Sequence, residues 1–227
     1  MHKYQKVLLT LALLAAALLW HYHRHEPPPA LPPAGALRVI FCNMENLFDV
    51  VDGPGSGDNE YLPSSPKHWT KERYQRKLEM LAELFSLEPA LIGLSEAENE
   101  RVLGSLIAAA GMGSFYNFIL VEGTDFRGID VGLVYHQQRF APFYNHLYAV
   151  HFTDWKKHRS RGIFYVAGTV PGGDTLHIFV NHWPARLKGK EASEGQRVDA
   201  AVTLKHLMDS LKRDDTGAAF VVMGDFN

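Results

Sequence analysis

Four apolar stretches along the chain each run into a short polar cluster. Arg38-Val39-Ile40-Phe41-Cys42 leads into Asn43-Met44-Glu45-Asn46, and Leu91-Ile92-Gly93-Leu94 into Ser95-Glu96. His177-Ile178-Phe179-Val180 leads into Asn181-His182, and Phe220-Val221-Val222-Met223 into Gly224-Asp225-Phe226-Asn227. Short continuous apolar runs predict buried strands, here near 37–43, 90–96, 175–181 and from about 220 onward. Their common ending predicts that the strand ends meet at one place. Other strands are predicted near 115–122, 130–135, 144–152 and 162–170, with Gly172-Gly173-Asp174 as a hairpin turn before the strand at 175.

Between these runs the period changes from two to 3.6. Thr70 caps a predicted helix to about residue 86, with Tyr74, Leu78, Leu81 and Phe85 on its apolar face and Lys71, Arg73, Arg76 and Lys77 as a solvated basic face. Asn99 opens a second helix whose stripe is Val102, Leu103, Leu106, Ile107 and Ala110. Ser193-Glu194-Gly195-Gln196 matches a capping box and predicts a third helix to about residue 213. The loop from Asp49 to Trp69 carries Gly53, Pro54, Gly55, Gly57, Pro63 and Pro66, and is long enough either to border a site or to be a solvated insertion. The layout is mixed, with sheets inside and helices outside.

Composition narrows the field modestly. The 227 residues are 46% hydrophobic and 21% charged, as in an ordinary globular domain. A formal net charge of -2 excludes a global basic field, so sequence-independent nucleic-acid binding does not follow from charge alone. The single cysteine, Cys42, excludes an intramolecular disulfide framework and reads as a small buried hydrophobe. At the start of the chain Lys3 and Lys6 precede an uncharged run from Val7 to Trp20. Residues 1–25 therefore read as a cleaved signal peptide or a membrane anchor, and 26–36, with Pro27 to Pro33, as an extended tether to a domain spanning 37–227. The charge balance around the run points to an exported domain, periplasmic or extracellular. His21, His23 and His25 are the right residue types for a transition metal, but polar residues beside an anchor account for them equally well.

The strand-end clusters carry the chemistry. Glu96 leaves an apolar strand, and one carboxylate can hold magnesium while waters and phosphate oxygens fill the other positions. Asparagines both donate and accept, so they bind phosphate oxygens or orient acids without adding charge. His182 offers a donor as negative charge builds on a phosphate. A single acid at a strand end is as often structural, and a lone histidine there more often so; the recurrence at Asn43, Glu45, Glu96, His182, Asp225 and Asn227 is what raises the chemical reading.

Five segments in this order resemble the endonuclease/exonuclease/phosphatase superfamily: Asn43-Met44-Glu45-Asn46, Leu94-Ser95-Glu96, Arg127-Gly128-Ile129-Asp130-Val131, Asn181-His182-Trp183-Pro184-Ala185-Arg186 and Gly224-Asp225-Phe226-Asn227. The opening Asn-x-Glu-Asn-Leu-Phe-Asp with His-Trp-Pro-x-Arg is similar to a bacterial nuclease-like subgroup. The resemblance implies a DNase I-like four-layer α/β/β/α sandwich, of α+β class, and metal-dependent hydrolysis of a phosphodiester, most simply a nuclease reaction by in-line attack of water. It implies that Glu96 binds the divalent ion, magnesium or else manganese or calcium, with Asn43 and Glu45 completing that corner. Asp225 would position or activate the water, and Asn227 and His182 would hold phosphate oxygens. Arg127, Asp130 and Arg186 match positions that contact phosphate or fix loops, while Arg161 reads as structural. Nucleic acid is the implied partner, with a membrane if the first segment stays attached and no obligate protein partner.

Family members also carry two further strands and an Asp-His pair beyond the Gly-Asp-Phe-Asn element. Because the sequence stops at Asn227, the expectation is a sandwich incomplete at the C-terminus, part of a longer frame and weakly active or inactive alone, with open apolar edges. Two other readings stay open: a phosphomonoesterase or phospholipid phosphodiesterase of the same fold, and a tethered noncatalytic binding module.

Overall fold

The computed structural model describes residues 35–53, 57–125, 127–153, 161–186 and 189–227. The signal or anchor segment, the histidine cluster and the prolines of the tether lie outside the described residues. Strand β1 (Val39–Leu47) pairs in parallel with β2 (Leu91–Ala97). A parallel pair needs a crossover, and α1 (Lys71–Ala82) supplies it, with Thr70 at its start accepting a hydrogen bond from the Arg73 N–H. Helix α2 (Glu100–Ala109), capped by Asn99, then leads to β3 (Tyr116–Val121) and β4 (Asp130–His136). Both are antiparallel additions, so the first sheet has the order β1-β2-β4-β3.

The second sheet inverts that plan. Strands β5 (Ala141–Tyr148), β6 (Ile163–Thr169) and β7 (Thr175–His182) form an antiparallel meander, and α3 (Lys190–Asp214) crosses over to β8 (Ala219–Asp225), parallel to β7. The order is β5-β6-β7-β8.

Three apolar clusters separate four layers. Leu78 and Phe85, with Val102, Leu103 and Leu106, cover one face of the first sheet at Met44, Ile92 and Leu94. Leu91, Val131 and Leu133 meet Phe164, Val166, Ile178 and Val180 between the sheets. Leu204, Leu207, Met208 and Leu211 of α3 cover Tyr165, Phe179 and Phe220 on the far face. This is the DNase I-like α/β/β/α arrangement. Among the described residues no helix is long and apolar enough to cross a membrane.

Several elements differ from the sequence reading, each for a local reason. β1 continues past Asn43 to Leu47 through a register break in its pairing with β2, a bulge that apolar periodicity does not reveal. β5 covers Ala141–Tyr148 rather than 144–152, because Ala141 and Pro142 pair with Thr169 and Gly168 ahead of a second register break. The capping-box reading at Ser193 is corrected: α3 starts at Lys190, and the Ser193 hydroxyl donates to the Gly189 carbonyl four residues back, 3.1 Å away. α1 ends at Ala82 and tightens into a 3-10 turn, Glu83–Leu87, so the apolar face continues without the α-helix.

Candidate active site

The two parallel strand pairs end on the same side of the sandwich, and two contacts join the sheets there. Asn43 at the β1 bulge donates from Nδ2 to Asp225 Oδ2 of β8 at 3.0 Å. His182 Nε2 of β7 lies 3.5 Å from Glu96 Oε1 of β2. Within the second sheet His182 and Asp225 are register partners. The Asn227 N–H donates to Asp225 Oδ1 at 3.0 Å, and Asn227 Nδ2 donates to the Trp183 carbonyl at 3.0 Å. Asn43, Glu96, His182, Asp225 and Asn227, widely spaced along the chain, are therefore neighbours.

The backbone is bent to allow this. Glu45, Asn46 and Glu96 have φ values of 51°, 61° and 65°, left-handed conformations that non-glycine residues rarely adopt and that concentrate at functional sites. The bend exposes the Asn46 N–H, which donates to Glu96 Oε2 at 2.9 Å, while the Glu45 N–H donates to Asn43 Oδ1 at 2.8 Å. Glu45 thus enters the cluster through its backbone, while its own side chain is exposed at the bulge. Gly224 lets β8 approach β7: a Cβ there would sit 2.3 Å from the Asn181 carbonyl oxygen. Asn181, fully buried, in turn donates to the Met223 carbonyl and accepts from Trp183 Nε1.

Electrostatically the site is one of acids with buried supports. His182 is 3% exposed; burial, reinforced by Arg161, pushes its pKa down to about 4, so the imidazole is neutral at physiological pH. Among the described residues its buried Nδ1 has no hydrogen-bond partner, and Nε2 is the nitrogen that faces Glu96. Glu98 turns away from Glu96 to accept the Asp49 N–H at 2.9 Å; burial, helped by the Asp49 and Asp58 charges, raises its pKa to about 7.

The arginines are organised by a residue that the sequence reading missed. Asp125 accepts from the Arg127 N–H and from Arg127 Nε and Nη2, and from Arg161 Nε at 2.6 Å. Burial alone would raise the Asp125 pKa, but these donors prevail and lower it to about 2. Arg127 reaches Asn46 Oδ1 at 3.4 Å, and Arg161 reaches the Trp183 carbonyl at 3.3 Å, so the clamp touches both halves of the site. Asp130 is not among these partners: it is buried, accepts the Gly123 N–H at 2.6 Å, and burial raises its pKa to about 6. Arg186 is exposed and donates from Nε to the Asn227 carbonyl at 2.7 Å. Only the Asp-x-Arg spacing, which permits a turn closed by the aspartate side chain, hinted at Asp125 in the sequence.

The donor set, carboxylate and amide oxygens, fits a hard divalent cation. Glu96, partly open at 12% side-chain exposure, offers the single carboxylate that magnesium commonly takes along with waters and phosphate.

The sequence pattern of the endonuclease/exonuclease/phosphatase family matches residues 38–227, and the chain belongs to that family. It is a family of metal-dependent phosphodiesterases and phosphatases. No curated protein sequence matches the chain. Among solved structures it is similar to a mannosyl-6-phosphatase of Bacteroides thetaiotaomicron, at 17% identity and a TM-score of 0.57, over 85% of this chain and 66% of that one. A D. rerio TDP2 humanized by 14 mutations is similar at 17% identity and a TM-score of 0.54, over 84% of this chain and 62% of that one. The human Nocturnin catalytic domain follows at 16% identity and a TM-score of 0.51, over 76% of this chain and 61% of that one. The chain spans about half the length of the C. elegans TDP2 structures it also matches, 44% and 57%. At these identities the likeness establishes the DNase I-like fold.

Proposed function

We propose that this domain is a metal-dependent phosphodiester hydrolase and, within that class, a nuclease. The observation that carries the reading is the cross-sheet meeting of two acids, Glu96 held beside His182 at 3.5 Å and Asp225 held by Asn43 at 3.0 Å, in one partly open site.

Glu96, with the Asn43 amide, would hold the divalent ion, and when bound that ion would draw charge from the phosphate or the leaving oxygen. The chain's own groups do the rest. Asp225 has both carboxylate oxygens fixed by N–H donors from Asn43 and Asn227, which keeps it an oriented acceptor for the proton of an attacking water. His182 remains neutral and lies 3.5 Å from Glu96 across the sheets without contributing a charge that would repel a cation. Asn227, tied to Trp183, presents its remaining amide capacity to a phosphate oxygen. The Asp125-clamped arginines add positive charge beside the site that suits a phosphate-bearing substrate.

The experiment presents plasmid DNA, inositol phosphates and sphingomyelin, each with magnesium and with chelator, to the wild type, Glu96→Gln and Asp225→Asn. Magnesium-dependent DNA cleavage that chelator abolishes and either substitution lowers by about 100-fold is the expected result. Hydrolysis confined to inositol phosphates or sphingomyelin moves the substrate within the fold. Turnover indifferent to both substitutions removes the site.

A further inference from the structure

Lys77 belongs by sequence to the basic face of α1, yet it does not behave as a solvated charge. Its side chain is half-buried, and Nζ donates to the Glu45 carbonyl at 2.6 Å and the Asn46 carbonyl at 3.4 Å. The ammonium also lies 5.6 Å from the centre of the Trp69 ring. By contrast Arg73, one turn earlier, donates to the carbonyls of Lys67 and His68. Burying a lysine is costly, and here burial lowers its pKa while Glu45 and Glu96 pull the other way.

The two carbonyls it grips belong to the two left-handed residues of the β1 bulge, Glu45 and Asn46. Two adjacent residues in that conformation are strained and persist only where their surroundings enforce it. The same bulge points the Asn46 N–H at Glu96 Oε2 at 2.9 Å. Lys77 therefore connects, through one peptide unit, to a carboxylate it does not itself hydrogen-bond.

We propose that Lys77 is a positioning residue for the cation site: by bridging the Glu45 and Asn46 carbonyls it holds the bulge in its left-handed form and so fixes Glu96. The role rests on the reading of Glu96 as a cation ligand, and the experiment separates the two. A bland alternative has the opposite sign. If Lys77 were only a nearby positive charge, its removal would strengthen cation binding at Glu96.

The test reads two quantities on the full chain: hydrogen exchange of the Asn46 amide without metal, and the Kd for Mn2+ by calorimetry. Lys77→Met is expected to speed Asn46 exchange at least tenfold and weaken Mn2+ at least fivefold, Lys77→Arg to recover most of both, and Lys71→Met on the same helix to change neither. Unchanged Asn46 exchange in Lys77→Met, or tighter Mn2+ binding, overturns the proposal. If the wild type itself fails to bind Mn2+, the reading of Glu96 falls, while Asn46 exchange still decides the role of Lys77. Should Lys77→Met fail to fold, the same comparison is made in a Glu45→Gly background, where glycine takes the left-handed backbone without strain. There the exchange difference is expected to shrink but keep its sign; its absence counts against the proposal.

Discussion

Asp125 and Asp130 show how differently two buried aspartates, five residues apart, can be used. Asp125 pairs with two guanidiniums, so Asp125→Ala removes the carboxylate shared by Arg127 and Arg161 and is expected to cost about 3 kcal/mol of stability in urea denaturation. A loss below about 1 kcal/mol would mean that solvent screens the clamp. Asp130 has one backbone donor and no cationic partner among the described contacts, and burial raises its pKa to about 6. A raised carboxyl pKa means that the native state keeps a proton the unfolded chain has already released. Its contribution is therefore favourable at acid pH and is lost as pH rises from about 4 to about 6. Asp130→Asn should match the wild type near pH 4 and exceed it by about 3 kcal/mol at pH 8. His182 runs in the opposite direction, destabilising the fold as pH falls from about 6.5 towards its native value of about 4. It is common to both proteins in that comparison and cancels. An equal difference between Asp130→Asn and the wild type at both pH values would contradict the assignment. None of this was legible in the sequence, where both aspartates are simply acids near an arginine.

The elements were legible wherever their burial is periodic. The apolar faces of α1 and α2 and the runs of β2, β7 and β8 reappear in the structure because the side chains that define the period are the ones that pack. What the pattern missed is where the backbone departs from its period. The bulge at Glu45 and Asn46 lengthens β1, the register break in β5 shifts its span, and Ser193 bonds backwards inside α3 instead of capping it. Lys77 was misjudged for the same reason, since its partners are carbonyls that only the bulge exposes. The parallel pairing of β7 with β8 makes the sharpest demand at element scale. Gly224, at φ 156° and against the Asn181 backbone, has no room for a methyl group. Gly224→Ala should cost about 3 kcal/mol, because either β8 moves off β7 or Asp225 leaves Asn43. A variant of wild-type stability that retains the 3.0 Å Asn43–Asp225 contact would show that the strands are not held so closely.

At the scale of the whole molecule, two sheets with inverted orders place a parallel pair side by side, each pair built around one helical crossover. The strand ends were readable as a convergent set because each apolar run stopped at a polar cluster. The sequence could not say which acid faces which amide, since that depends on how one sheet lies on the other. In the proposed site one cation is held at Glu96, at the point where residues from both sheets converge. Paramagnetic broadening by Mn2+ in the NMR spectrum of the full chain tests this directly. The amides of Asn43, Glu96, His182 and Asp225 are expected to broaden together at low Mn2+ and to sharpen again in Glu96→Gln. Broadening confined to one sheet, or unchanged in Glu96→Gln, would contradict it.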